Sequence, residues 1–178
     1  MSTTVLHPEQ NMWQKSLNEW LHLSRKDSQL GKPAEYIPAL AKQNPEDLGI
    51  TILCSDGTKL HAGQWEKSFT LQSISKVASF IVACQERGLE YCLERVDVEP
   101  TGDPFNSIFR LEVNQPGKPF NPMINAGAIT ICSLLPGKNV PAKLEGLLDF
   151  LEQLLGRRLT LNEEVFQSEW RTAYRNRA

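Results

Sequence analysis

Apolar residues recur at intervals of three and four from Asn11 to about Gln29, where Trp13, Leu17, Trp20 and Leu21 are separated by polar positions, and this spacing predicts an amphipathic helix. Gly31, Pro33 and Pro38 then break the chain, and Tyr36 to Ala41 reads as a short helical turn or an anchored loop. From Leu48 the period changes to two. Leu48 to Cys54 (LGITILC) is apolar and β-branched, Ser55-Asp56-Gly57-Thr58 has turn chemistry, and Lys59 to Trp65 returns as a second strand. Ser68 to Gln72 leads into a long apolar helix from Ser73 to about Arg87, which Gly88 closes as a C-cap.

Further on, Pro100 to Asn106 (PTGDPFN) and Asn114 to Asn121 (NQPGKPFN) are dense in Pro, Gly and Asn and predict loops, with Ser107 to Val113 between them as a strand or an irregular apolar segment. Asn125-Ala126-Gly127-Ala128-Ile129 opens a second long helix whose small residues allow close packing. Leu144 to Leu155 predicts a third, ended by Gly156; Asn162-Glu163-Glu164 begins a fourth, and Gln167 to Ala178 continues in helical pattern. A hairpin followed by helices is α+β in class rather than a βαβ repeat. A lone pair of strands is marginal in water, so the antiparallel sheet reads as incomplete.

Composition narrows the picture. With 178 residues, 40% hydrophobic and 22% charged, the chain supports one domain with a core, or at most two small ones, and is not wholesale disordered. Nineteen Lys and Arg against 21 Asp and Glu give a net charge of −2, which is no footprint for nucleic acid or an anionic membrane surface. The best apolar run, Val77 to Cys84, falls far short of a membrane span. The start, MSTTVLHPEQ, has neither a basic end nor an apolar stretch, so no secretory signal and a cytoplasmic location are expected. Cys54, Cys84, Cys92 and Cys132 lack metal-ligand spacing, and no disulfide framework is expected. Cys54 and Cys132, inside apolar runs, are expected to be buried small hydrophobes. His7, His22 and His61 are scattered, and no metal site is expected.

The residues best placed for chemistry are Ser73 and Lys76. Three apart on a helix, they share one face with Cβ atoms about 5–6 Å apart. A neutral lysine there can take the serine proton, and a helix start offers backbone N–H groups as half of an oxyanion hole. With no histidine after His61, a Ser-His-Asp arrangement is disfavoured. The plainer reading is an N-cap serine followed by a solvated lysine.

The surroundings are more specific than the pair. Tyr36-Ile37-Pro38, Gln72-Ser73-Ile74-Ser75-Lys76, Asp103-Pro104-Phe105-Asn106-Ser107-Ile108, Lys118-Pro119-Phe120-Asn121-Pro122-Met123-Ile124-Asn125-Ala126-Gly127-Ala128-Ile129, and Ser168-Glu169 through Arg175-Asn176-Arg177-Ala178 follow in that order. This string resembles the glutaminase family, enzymes that hydrolyse L-glutamine to L-glutamate and ammonia, and the resemblance runs from about residue 10 onward. It implies that Ser73 is the nucleophile and Lys76 its activating base. It implies that Asn125, Glu169 and Asn176 hold the amino-acid part of the substrate beside Ser73, and that Tyr36 lines the pocket.

Physical logic agrees, since an ammonium wants a carboxylate and a carboxylate wants amide and hydroxyl donors. The plainer readings are a solvated dipole partner for Glu169, in a first helical turn, and an N-cap for Asn125. The resemblance further implies the serine β-lactamase and transpeptidase architecture, an antiparallel sheet with packed helices beside a helical subdomain. It also implies a homo-oligomer with no metal or organic cofactor and a small-molecule partner, L-glutamine. Family domains are longer, so residues 1–178 are expected to form a single partial glutaminase domain: an N-terminal helix within 1–30, the hairpin over 48–66, and a largely helical part over 73–178. The competing readings are another Ser-x-x-Lys acyl enzyme of the β-lactamase or penicillin-binding type, disfavoured because Ser-Asp-Asn and Lys-Thr-Gly are missing, and an inactive fragment acting through an exposed sheet edge and helix face.

Overall fold

The computed structural model describes residues 7–104, 106 and 117–172. In chain order its elements are α1 (Pro8–Asp27), α2 (Pro38–Ala41), β1 (Gly49–Leu53), β2 (Lys59–Gly63), α3 (Ser75–Arg87), α4 (Leu89–Arg95), α5 (Asn125–Leu134), α6 (Val140–Leu155) and α7 (Glu163–Thr172). They fall into two compact units, one holding described residues up to Phe69 together with Glu163–Thr172, the other running from Thr70 to Asn162. The class is α+β, with a two-stranded antiparallel sheet.

In the first unit the helical and alternating patterns meet face to face. Leu17 of α1 is fully buried against Leu60 and Ala62 of β2, with Leu21, Ile50, Ile52 and Cys54 packed around them. β1 and β2 pair antiparallel from Gly49↔Gly63 to Leu53↔Lys59. Their turn is tied to the start of α1: Thr58 donates its N–H to Asp56 Oδ1 (2.9 Å), and Gln10 Nε2 donates to Asp56 Oδ2 (2.7 Å). These donors, led by the Thr58 N–H, hold the Asp56 carboxyl below the usual carboxylate range. At Gly63 the backbone turns to φ +69°, and a Cβ would lie 2.2 Å from the Leu48 carbonyl oxygen, so only glycine lets the open end of the hairpin pair this tightly. α2 and α7 join through Ala39 N–H on Ser168 Oγ (3.1 Å) and a Lys42–Glu164 ion pair (2.6 Å).

The second unit gathers α3 to α6 around Val82, Ala83, Cys92, Val96, Ile131, Leu134 and Leu135, with Phe80, Cys84, Leu147 and Phe150 at the margin. The extended segment after α4 pins the loop before α5, through Asp97 N–H on Pro119 C=O (2.8 Å) and Glu99 N–H on Phe120 C=O (2.9 Å). α5 approaches that loop so closely that a Cβ on Gly127 would lie 1.9 Å from the Asn121 carbonyl oxygen.

Several sequence expectations need correction. α3 begins at Ser75, because Gln72–Ile74 form a 3-10 turn. α6 begins at Val140 rather than Leu144, since the Asn139 side chain accepts the Ala142 N–H and Pro141 sits in the first turn. α4 was not foreseen; it is seven residues long, and its signal is hidden behind Gly88. Cys54 is half-buried and Cys132 exposed, while Cys92 is the fully buried thiol, because an apolar run does not say which face of its helix or strand turns inward. The predicted segment Ser107 to Val113 and the helix beyond Thr172 lie outside the described residues.

Leu17→Ala is expected to lower stability by about 3 kcal/mol, read as a drop in urea midpoint, because the side chain is fully enclosed. Gly127→Ala should lose about 1–3 kcal/mol in the same assay through overpacking against backbone. Asp56 has a depressed pKa, so its stabilising bonds are present above the ordinary carboxylate value and are lost as pH falls through the folded one. Between about pH 5 and pH 3, Asp56→Asn should therefore lose less stability than the parent chain.

Candidate active site

Ser73 sits in the middle of the 3-10 turn Gln72–Ile74 and is exposed. The residue before it, Gln72, has φ +46°, the only positive φ at a non-glycine among the described residues. A left-handed residue of this kind is costly and persists where its surroundings enforce it. Here they do: Ser75 Oγ donates to Gln72 C=O (2.7 Å), and Ser79 Oγ donates to Ser75 C=O (3.0 Å). This hydroxyl ladder fastens the turn to α3. Ser73 is thereby presented ahead of the helix, where intrahelical bonding supplies its N–H with no partner.

One turn further on, half-buried Lys76 reaches across to the segment before α5. Its ammonium donates to Asn125 Oδ1 (2.8 Å) and to the Met123 carbonyl oxygen (2.9 Å). An ammonium is only a donor, which fixes the orientation of the Asn125 amide with its oxygen toward Lys76. The segment receiving Lys76 is itself fastened. Asn121 Oδ1 accepts from the N–H groups of Met123 (3.0 Å) and Ile124 (3.1 Å), and Asn121 Nδ2 donates to Glu99 C=O (2.9 Å). Lys76 is therefore not a solvated lysine, and neither Ser73 nor Asn125 caps a helix. Ile74 and Ile124 occupy the cap positions of α3 and α5, and Asn125 turns its side chain to Lys76 instead.

The remaining predicted residues are carried by other segments of the chain. Tyr36 lies in the turn before α2, two-thirds exposed, while its neighbour Ile37 is buried. Glu169 is half-buried on α7, in its second turn rather than its first; Glu163 and Glu164 hold the first-turn position beside the helix dipole. Both lie in the first unit, whose α2 and α7 are bonded to each other. Ser73, Lys76 and Asn125 lie in the second. Asn176 is outside the described residues.

Other chemistry is poorly provided for. Burial pushes the Cys84 thiol up to about 11, with Cys92 beside it adding to the rise, so it is no nucleophile at neutral pH. Among the described residues no group of three or more His, Cys, Asp or Glu converges as a metal site. No helix of the described residues is long and apolar enough to cross a membrane. A shallow recess of about 300 Å³ between α3 and α6, lined by Val82, Glu86, Asp149 and Phe150 among others, contains none of the predicted site residues. Sequence reasoning missed Asn121, Ser75 and the backbone of Gln72. Asn121 before Pro122 carried a turn signal that was legible, whereas nothing in Gln72 itself announces a positive φ.

The glutaminase family model matches residues 31–178. Glutaminase 1 of Bacillus subtilis is 60% identical over 162 residues, covering 91% of this chain and 50% of that protein. Glutaminase 2 of Bacillus cereus has the same identity and coverage. Among solved structures, a probable glutaminase of Bacillus subtilis superposes with a TM-score of 0.82 at 56% identity, covering 91% of this chain and 49% of that one. A Bacillus subtilis glutaminase in covalent complex with 5-oxo-L-norleucine, formed from 6-diazo-5-oxo-L-norleucine, superposes with a TM-score of 0.79 at 51% identity, again over 91% of this chain and 49% of that one. The chain thus spans about half the length of the curated relatives it matches. These likenesses set aside the β-lactamase and penicillin-binding reading. With a family model matched from residue 31 onward and relatives at such identity, the chain belongs to the glutaminase family.

Proposed function

We propose that this chain carries the serine-lysine half of a glutaminase reaction, the hydrolysis of the side-chain amide of L-glutamine to L-glutamate and ammonia. The observation that carries this reading is the half-buried Lys76, whose Nζ is held by Asn125 Oδ1 and the Met123 carbonyl one turn from an exposed serine on an enforced backbone turn. In the proposed reaction Lys76 first gives up a proton to solvent, and Ser73 Oγ then attacks the amide carbon while its own proton passes to the neutral amine of Lys76. The tetrahedral intermediate collapses as the C–N bond breaks, and Lys76 returns the proton to the departing nitrogen, which leaves as ammonia. A γ-glutamyl ester of Ser73 remains. Water adds to it, giving a proton to Lys76; the ester C–O bond breaks, and Ser73 regains its hydrogen as glutamate departs.

Tyr36, Asn125, Glu169 and Asn176 are proposed to hold the amino-acid part, with Glu169 against the ammonium and the amides against the carboxylate. The same reading takes residues 1–178 as one partial domain of β-lactamase and transpeptidase type, needing no metal or organic cofactor and assembled as a homo-oligomer. It places the chain in the cytoplasm, where four free thiols persist.

The test is chemical labelling together with turnover. 6-Diazo-5-oxo-L-norleucine should add its mass less dinitrogen to the purified chain, at Ser73, and Ser73→Ala should remain unlabelled. Ammonia release from L-glutamine should fall at least about 10³-fold in Ser73→Ala and in Lys76→Met. Asn125→Ala should raise KM more than it lowers kcat, and L-asparagine should be a poor substrate. Labelling that persists in Ser73→Ala would overturn the assignment.

A further inference from the structure

Gln72 and Ser73 share one trans peptide plane, so the Gln72 carbonyl and the Ser73 N–H point in opposite directions from it. Whatever fixes the carbonyl therefore aims the N–H. Two donors converge on that carbonyl, both from Ser75: its backbone N–H, and its hydroxyl at 2.7 Å. Together they occupy both lone pairs of the oxygen. The N–H on the other side of the plane makes no hydrogen bond to any described residue. It belongs to Ser73, which is exposed and stands ahead of α3.

The Ser75 N–H alone would satisfy the Gln72 carbonyl, so the Ser75 hydroxyl is surplus to backbone bonding. The same holds one turn on. Ser79 is the one buried polar residue among those described, and its hydroxyl donates to Ser75 C=O (3.0 Å), a carbonyl that α3 already engages through its own ladder. Alanine at Ser79 would favour the helix more and bury no hydroxyl. From α5 the Cys132 thiol meets Ser79; the serine has spent its only proton on Ser75, so it receives the thiol's. Gln72, left-handed at φ +46°, is tied at its side-chain end to Thr70 Oγ1 (3.3 Å). Hydroxyls of Thr70, Ser75 and Ser79 thus brace a single peptide plane.

We propose that Ser75 is a positioning residue of the serine-lysine site: its hydroxyl locks the Gln72–Ser73 peptide plane so that the Ser73 N–H is aimed at the substrate's amide oxygen as that oxygen gains negative charge. A backbone donor is effective in this role when its direction is set beforehand, because no reorganisation is then needed during reaction. Ser79 is the second rung and keeps Ser75 in place. The role rests on the reading of Ser73 as nucleophile and deepens it. It acts on the chemical step rather than on binding, since the Ser75 hydroxyl is spent on the Gln72 carbonyl.

The experiment compares the full 178-residue chain with Ser75→Ala, Ser75→Thr and Ser79→Ala. For each, the limiting rate and half-saturating concentration of labelling by 6-diazo-5-oxo-L-norleucine are measured by mass, alongside kcat and KM for ammonia release from L-glutamine. Ser75→Ala should lower both rates at least about tenfold and leave both concentrations within about twofold. Ser75→Thr keeps a hydroxyl able to bond an i−3 carbonyl, and should recover to within about threefold of the parent. Ser79→Ala, one rung removed, should lose about two- to fivefold. In partially aligned 15N-labelled protein, the residual dipolar coupling of the Ser73 N–H should fit the rigid frame of α3 in the parent and in Ser75→Thr, and shrink toward zero in Ser75→Ala. Ser75→Ala reacting at the parental rate overturns the assignment, as does an unchanged dipolar coupling. So does a loss confined to the half-saturating concentrations, or one that threonine does not recover, which would make packing responsible. A parent chain unlabelled at Ser73 overturns the nucleophile reading and the role of Ser75 with it; a labelled parent with an indifferent Ser75→Ala strikes the role of Ser75 alone.

Discussion

The ammonium of Lys76 is the junction on which the second unit's site depends. It is a donor with no accepting capacity, and it is met by two oxygens that belong to a single short segment, Met123 to Asn125. That segment can present them because Asn121 has already folded it into a tight turn and Glu99 holds Asn121 from behind. Desolvating a cation without such acceptors would be prohibitive. The lysine therefore locks α3 to the start of α5, and the packing of Gly127 on Asn121 is what lets α5 begin close enough to be locked.

The turn that carries Ser73 is under a different constraint. The left-handed Gln72 donates its side-chain amide to Thr70 Oγ1 (3.3 Å), and its turn is held by two serine hydroxyls that point back along the chain. Serine inside a helix normally competes with helical bonding, and at Ser75 and Ser79 that competition is turned to holding the entrance of α3. Backbone strain of this kind keeps the side chain of Ser73, the proposed nucleophile, clear of the helix that follows.

Much of this was readable from residue order. The hairpin and α1 were legible because their periods of 2.0 and about 3.6 are imposed by burial on one face. The Ser-x-x-Lys pair was legible as spacing, and Asn125, which receives Lys76, through the motif string. What could not be read were features set by contacts distant in sequence. Lys76 finds its acceptors 47 and 49 residues away, a separation that no local pattern encodes. Cys132 sits in an apolar run yet is exposed as a residue, with its thiol turned to Ser79, since one helix turn decides exposure and composition averages over it. The start of α6 was misplaced by four residues because apolar periodicity begins later than the Asn139 cap that nucleates the helix.

At the outer edge of β2, Gln14 of α1 donates its Nε2 to His61 C=O (2.7 Å) and accepts the His61 N–H on Oε1 (3.3 Å), which limits how far pairing along the sheet can go. A sheet with both rims available is a bifunctional monomer, able to extend without limit into a filament. Here one rim is capped from within by an amide that satisfies both backbone groups of His61. Among the described residues the hairpin therefore has at most one edge left to pair, and growth by edge pairing terminates once that edge is joined.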